Sequence, residues 1–344
     1  MSKRHALGSV LSLVPFEVNR NLRRLHRGRF LTVVTYHRVL DRSGDFLFDE
    51  DLISASTAQF RSHLDFMTRH FDVMEFRTLR KYMDRHGTVP PRGLIITFDD
   101  GYIDNYEVAW PILKEYGVPA TMFATAGFIG EKRMFWWDKI AYMIKTGRRD
   151  RIEAGPPAPV SIDISSFPDR QAAARHVIKT VKHYREEDKE ELIRTISRQL
   201  DVEIDEDSHR NTMTWEMLRE LGDNGIEIGG HSVNHPIFSN IDEERLAGEV
   251  RGAKRMIEEK TGREVITFGS PGRGILTEEE RAAFDRRLMA IIRDSGYSFS
   301  TMYKWGLAYE NGFDPYKVPR LNIESHDSAR MFAAKMAYPE LIVY

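Results

Sequence analysis

Leu94-Ile-Ile-Thr-Phe98 is a short apolar run, and it stops on two adjacent carboxylates and a glycine, Asp99-Asp100-Gly101. Such a run reads as a fully buried strand, which is the kind found in parallel sheets covered on both faces. Leu31-Thr-Val-Val-Thr-Tyr36 and Ala120-Thr-Met-Phe-Ala-Thr125 have the same character. Between the second and third of these runs lies a helical pattern from Tyr102 to Tyr116, ended by Gly117. Strand, helix and strand in succession imply parallel strands joined by helical crossovers.

The same rhythm returns further on. Thr214 caps a helix to Leu221, Gly225-Ile-Glu-Ile-Gly229 is a strand, and Ile241 to Lys260 is a helix. Val265 to Phe268, Tyr297 to Met302 and Val318 to Ile323 read as strands, with a helix to about Asp294 opened by a Thr277/Glu280 capping box. Earlier, Ser56 or Thr57 caps a helix whose apolar positions Phe60, Leu64, Met67 and Phe71 share one face. The expectation is an α/β fold, a distorted (β/α) barrel of about seven parallel strands. Residues 131–211 interrupt it with aromatic Met134-Phe-Trp-Trp137, a proline-rich Gly155-Pro-Pro-Ala-Pro159 and charged helical patterns at 169–184 and 188–200. Their apolar content reads as too thin for a core of their own, so the stretch is taken as a helical insertion in a catalytic domain spanning 31–344.

Residues 1–30 are expected to form a basic amphipathic segment. Lys3 and Arg4 precede an apolar stretch from Ala6 to Phe16, but Glu17 and the basic run Asn19 to Arg29 follow without a small-x-small cleavage site. The segment therefore reads as a short helix packed on the domain or making weak contact with a membrane surface. No stretch is long and apolar enough to span a bilayer. The expected compartment is the cytoplasm or the membrane periphery, with an extracytoplasmic location as the alternative. A formal net charge of -2 gives no global field favouring nucleic acid, and the absence of cysteine removes disulfides and thiolate metal sites. Nothing in the sequence bears on oligomeric state.

Chemistry is concentrated at strand ends. His231-Ser-Val-Asn-His235-Pro236 follows the apolar run Ile226 to Gly230, and Pro236 disfavours a helix at His235. Both histidines and both aspartates thus fall on one rim of the barrel. Asp and His are ligands of catalytic zinc-type ions that keep a position open for water, and a neighbouring carboxylate can serve as the base. Either motif alone is an ordinary turn or a pair of loop histidines. Together they indicate a metal-dependent hydrolase.

Thr97-Phe-Asp-Asp-Gly101 and His231-Ser-Val-Asn-His-Pro236 resemble two motifs of the NodB-like polysaccharide deacetylases. Thr35-Tyr-His-Arg38, Phe135-Trp-Trp-Asp138 and Thr214-Trp-Glu agree, so the resemblance runs from about Leu31 to Glu324. It implies removal of N- or O-acetyl groups from an acetylated glycan. It also implies Asp99 as general base and Asp100, His231 and His235 as ligands of a divalent ion, zinc, with activity falling in acid as the ligands protonate. Tyr102, Trp215, Gly272 and Arg273 are the candidate substrate contacts. A backbone N–H near Gly272 would serve an oxyanion hole, and Arg273 either touches substrate or stays solvated. Phe135, Trp136, Trp137 and Trp215 either wall the sugar site or anchor the insertion, and the second reading is preferred.

The resemblance weakens toward the C-terminus. The family places its acid on a Leu-x-His strand, whereas this chain reads Arg320-Leu-Asn-Ile-Glu-Ser-His326. His326 and His37 are the competing acids, and Arg320 is expected to orient a carboxylate. No equivalent of the family's acid- or base-orienting aspartate is found. The altered Ser270-Pro-Gly-Arg273 loop leaves a C–N hydrolase of cyclic imides or amides as an alternative. The missing acid motif leaves a non-catalytic glycan-binding relative.

Overall fold

Seven largely buried strands close into one parallel barrel. In this computed structural model, which describes residues 14–44, 46–155, 160–206 and 211–342, they are β1 (Phe30–Tyr36), β2 (Gly93–Phe98), β3 (Thr121–Ala124), β4 (Glu227–Gly230), β5 (Thr267–Gly269), β6 (Phe299–Trp305) and β7 (Val318–Asn322). Each pairs in parallel with the next, and β7 returns to β1. The longest ladder joins β1 to β2 from Thr32↔Leu94 to Tyr36↔Phe98. The pairing is looser on the far side, where β4 and β5 share the single register pair Gly230↔Phe268 and β6 shifts register against β7. The barrel is therefore distorted, as expected, and all seven sequence-derived strands are present.

Helices cover the barrel. The pattern around Phe60 forms the helix Thr57–His70, with Phe60, Leu64 and Met67 fully buried against the sheet. Ser56, not Thr57, is its cap, in a reciprocal box with Gln59. The Thr277/Glu280 box opens the helix Glu278–Asp294. The N-terminal helix α1 (Phe16–Arg27) packs on the domain, while residues 1–13 of the basic segment lie outside the described residues. Among the described residues no helix is long and apolar enough to cross a membrane.

The stretch 131–211 differs from expectation in one respect. Its helices Trp136–Thr146, Arg170–Val181 and Glu186–Leu200 surround an apolar cluster that includes Ile140, Ile144, Val177, Ile196 and Leu200. An antiparallel hairpin, Arg151–Ala154 with Val160–Asp163, closes it. The apolar content is not thin. In Glu186–Leu200 its members Leu192, Ile196 and Leu200 are spaced one turn apart between charged residues, so no apolar run betrays them there. The cluster continues into the barrel rim through Tyr102, Phe128 and Ile237, and most of Gly155 to Pro159 lies outside the described residues.

Phe135 is the joint between these two masses. It is fully buried, stacked on Phe128 at 4.2 Å and on Trp137 at 4.7 Å, with ring planes nearly parallel in both pairs. Truncating a buried aromatic removes its contacts and leaves a cavity. Phe135→Ala is expected to cost about 3–5 kcal/mol, read as a lowered midpoint in thermal or urea unfolding, with Phe135→Leu losing less. An unchanged midpoint for the alanine variant would show that the joint is dispensable.

Candidate active site

The strand β2 ends at Phe98, and Asp99 is still held in the ladder by its N–H to the Tyr36 carbonyl at 2.9 Å. On a regular strand the next side chain would point to the opposite face. Instead Asp100 adopts a left-handed conformation, φ 75°, followed by Gly101 at φ 88°. The reversal turns both carboxylates toward the barrel mouth. Glycine is favoured at 101 by that left-handed conformation, and a Cβ there would also sit 2.7 Å from Ile129 Cδ1, so that side chain would have to shift. Three of the four positive-φ non-glycine residues among the described residues, Asp100, Ser232 and His235, belong to this site. Backbone strain of this kind persists only where surrounding contacts enforce it.

The two imidazoles arrive from the loop after β4. His231 Nε2 lies 3.4 Å and His235 Nε2 3.3 Å from Asp100 Oδ1. His231 Nδ1 donates to the Gly269 carbonyl at 2.7 Å, which fixes the tautomer and leaves the Nε2 lone pair facing Asp100. The close approach requires glycine at 269, where a Cβ would lie 2.7 Å from the Phe123 ring and 3.1 Å from His231 Nδ1. His235 is steadied by edge contacts with Trp137 and Phe135. Glu249, a buried carboxylate, accepts from the Val233 and Asn234 backbone N–H groups at 2.9 and 2.7 Å and so holds the loop between the histidines.

Asp99 has a different partner. Arg320, buried on β7, places Nη1 2.7 and 2.8 Å from its two oxygens. Burial pushes the Asp99 carboxyl up, but Arg320 and then the two nearby histidines outweigh it and hold it below the usual carboxylate range. His37 Nε2 and His231 Nε2 are each 3.9 Å from Asp99 Oδ2. Burial likewise opposes ionisation of Asp100, yet its imidazole contacts keep it well below the ordinary value. Burial pushes His235 down, toward the neutral form, against the pull of Asp100.

Asp100 Oδ1 is fully buried and has no hydrogen-bond partner. An uncompensated charged oxygen in such a place is costly. One oxygen and two nitrogens, with donor atoms within 4.8 Å of one another, fit a divalent ion with open positions. Ligand atoms bound at about 2.0–2.1 Å in a tetrahedron lie about 3.3 Å apart, which matches both Asp100 distances.

The remaining candidates separate. His37, Gly272, Arg273 and Arg320 line the same cleft of about 290 Å³ as the four central residues. Arg273 also pairs with Asp285 at 3.0 Å, so it is not simply solvated. His326 does not join them: it lies beyond the end of β7, its side chain 71% exposed, beside Glu324 at 3.6 Å and in a different groove. Tyr102 is fully buried, its hydroxyl donating to Asp138 at 3.0 Å and accepting from Trp137 Nε1 at 2.8 Å, so it cannot meet substrate. Trp215 packs on the main core beside Gly130, away from the cleft. Trp136 and Trp137 anchor the insertion as preferred, and their edges also reach the cleft. Sequence reasoning missed Asp49, Asp51, Ile178 and Lys182, which form the wall on the insertion side. No local motif marks them.

The polysaccharide deacetylase family model matches residues 86–153 and 177–298. Over 101 residues the chain is 38% identical to a poly-beta-1,6-N-acetyl-D-glucosamine N-deacetylase of Staphylococcus aureus (strain MSSA476), a match covering 27% of this chain and 34% of that protein. The chain thus spans about a third of the length of that curated relative. Among solved structures, a Streptococcus pyogenes deacetylase in complex with acetate superposes over 87% of this chain and 95% of that one, with a TM-score of 0.54 and 17% identity. IcaB from Ammonifex degensii gives 90%, 98%, 0.53 and 18% respectively. These two likenesses speak for the fold alone. The family model, in contrast, covers more than half of the 344 residues, including both motifs at the barrel mouth, and the chain belongs to the polysaccharide deacetylase family.

Proposed function

We propose that this cleft removes acetyl groups from an acetylated poly- or oligosaccharide, using a divalent ion, zinc, held by Asp100, His231 and His235. The observation that carries the reading is the buried Asp100 Oδ1 without a hydrogen bond, facing two Nε2 atoms beside a second, guanidinium-bound carboxylate. The all-nitrogen-and-oxygen donor set suits zinc with a position left open. When bound there, such an ion polarises the acetyl carbonyl and lowers the pKa of a water.

Asp99 is the base. Its ionised state, maintained by Arg320, accepts a proton as water oxygen bonds to the acetyl carbon. His37, 3.9 Å from Asp99 and open to the cleft, is the group that returns a proton to the leaving nitrogen or oxygen as the bond to the sugar breaks. Acetate and a free amine or hydroxyl result. The Ser270–Arg273 loop borders the cleft. Pro271 has no N–H, and that of Ser270 is bound to the Thr301 carbonyl. The N–H groups of Gly272 and Arg273 are therefore the loop's candidates for stabilising negative charge on the carbonyl oxygen. The name of the staphylococcal relative makes β-1,6-linked N-acetylglucosamine the first polymer to test, and the small cleft encloses a short unit of it with the rest lying across the rim.

Acetate release from that polymer by zinc-loaded protein is the direct assay. Asp99→Asn is expected to abolish turnover while retaining stoichiometric metal, and His231→Ala to lose both, as read by elemental analysis alongside the assay. Full metal occupancy with no acetate from any acetylated glycan would overturn the substrate assignment. The two candidate acids separate as sharply: His37→Ala should lower kcat by roughly 10²–10⁴-fold, and His326→Ala should leave it unchanged. The reverse pattern would move the proton donor out of the cleft described above. Chelation followed by dialysis is expected to remove activity and readdition of zinc to restore it. Undiminished turnover by protein shown to be metal-free would end the case for an ion.

A further inference from the structure

Pro236 carries no N–H, so the first backbone donor after His235 is Ile237. That N–H does not turn back to the barrel. It donates at 2.7 Å to Glu186 Oε1, a buried carboxylate of the helical insertion, 51 positions away in the chain. Glu186 opens the helix Glu186–Leu200, and its other oxygen pairs with Lys189 Nζ at 2.7 Å, one turn further on. The two side chains are only 6 and 3% exposed. Lys189 Nζ also lies 5.3 Å from the centre of the Trp136 ring, which lines the cleft.

A buried ion pair adds little to stability, because desolvation consumes most of the attraction. Apolar burial across this joint is already provided, since Ile237, Tyr184 and Ile193 belong to one cluster. What the pair adds is direction: a hydrogen bond fixes where the main chain runs, and a hydrophobic contact does not. His235 has need of that. Its φ of 50° is one that a non-glycine residue keeps only when the chain around it is held. Before it, the Ser232 hydroxyl accepts from the His235 N–H at 2.9 Å and Glu249 accepts from Val233 and Asn234. After it come two tethers from the insertion, Glu186 at Ile237 and the Tyr184 carbonyl, to which Asn240 Nδ2 donates at 2.6 Å.

We infer that Glu186, held by Lys189, is a positioning residue for His235, and that the insertion thereby sets how tightly the site takes its cation. The inference rests on the ion-binding role proposed above for Asp100, His231 and His235. The two imidazoles are supported from different masses. His231 is oriented by the barrel, through the Gly269 carbonyl. His235 is oriented by the insertion, through the Ile237 tether and the edge contact of Trp137 at 4.7 Å. Without the tether the chain beyond His235 relaxes, and Nε2 leaves its place 3.3 Å from Asp100 Oδ1. A third donor already in position has no ordering cost to meet when the ion arrives.

Paired substitutions separate the hydrogen bond from the charges. Removing one charge alone strands the other in the interior, so both must go together. Glu186→Met/Lys189→Met removes the two charges and also the acceptor for the Ile237 N–H. Glu186→Gln/Lys189→Met removes the same charges but leaves an amide oxygen in the acceptor's place. A positioning role through the hydrogen bond predicts that the second variant is rescued and the first is not.

Zinc titration of the full chain against a chromophoric chelator reads the difference. Glu186→Met/Lys189→Met is expected to bind zinc at least about tenfold more weakly than the wild type, with a zinc-free melting temperature within about 5 °C of it. Glu186→Gln/Lys189→Met should stay within about threefold of wild-type affinity. A second measurement needs no variant: in the zinc-free wild type, hydrogen exchange over Ser232 to Asn240 should show the Ile237 amide protected, the tether being set before the ion arrives. Wild-type affinity in the first variant, equal weakening in both, or an unprotected Ile237 amide would overturn the inference and leave the ion assignment standing. A wild-type protein that binds no zinc would overturn the ion assignment and this inference with it.

Discussion

Two carboxylates on consecutive residues repel each other, and burying them removes the water that would screen the repulsion. Asp99 and Asp100 are both almost wholly buried, and the surrounding structure is organised around that cost. The two charges are compensated from opposite sides: Asp99 by the guanidinium of Arg320, Asp100 by two imidazole nitrogens at 3.3–3.4 Å. Only Asp100 keeps an oxygen that nothing in the protein satisfies. The distinction agrees with the roles proposed above: the carboxylate fully held by protein as the group that exchanges a proton, and the one left short of a partner as a ligand for a cation.

The compensation depends on barrel closure. Arg320 is on the last strand and Asp99 follows the second, and they meet because both strands flank β1. His231 reaches the same point because Phe123 and Gly269 leave room for its ring and provide the carbonyl that orients it. The strained backbone at Asp100 and His235 has its own supports: Thr125 donates to the Asp100 carbonyl at 3.2 Å, and the Ser232 hydroxyl accepts from the His235 N–H at 2.9 Å. A looser fold would let these residues relax to ordinary conformations, and the carboxylates would separate.

What could be read from the sequence follows the range of the interactions. Strands such as β1 and β2 were legible because each is a continuous apolar run set by burial on both faces, and Asp99 and Asp100 because they sit at the end of such a run. Tyr102 looked like a cleft residue for the same reason, but the left-handed turn at Asp100 and Gly101 sends the chain under the insertion. A φ value is not written in residue types. His326 stood out because the end of β7 was judged by distance along the chain, while His37, just past the end of the neighbouring β1, is the histidine that lines the cleft. Glu249 and Asp49 left no trace, since each acts on a partner many residues away and resembles any surface acid in the sequence. The core of the insertion was hidden by the charges between its buried positions.

The barrel also separates two kinds of charge use. At the C-terminal end of the strands, acidic groups are desolvated and held in place for chemistry. At the opposite end, the arginines of α1 are buried in ion pairs so that leucine and valine face outward. Either arrangement alone would be a liability, the first as uncompensated charge and the second as an adhesive patch. Both persist because the layers between them are rigid and closely packed, with Leu31, Val33 and Ile95 fully buried between the two ends.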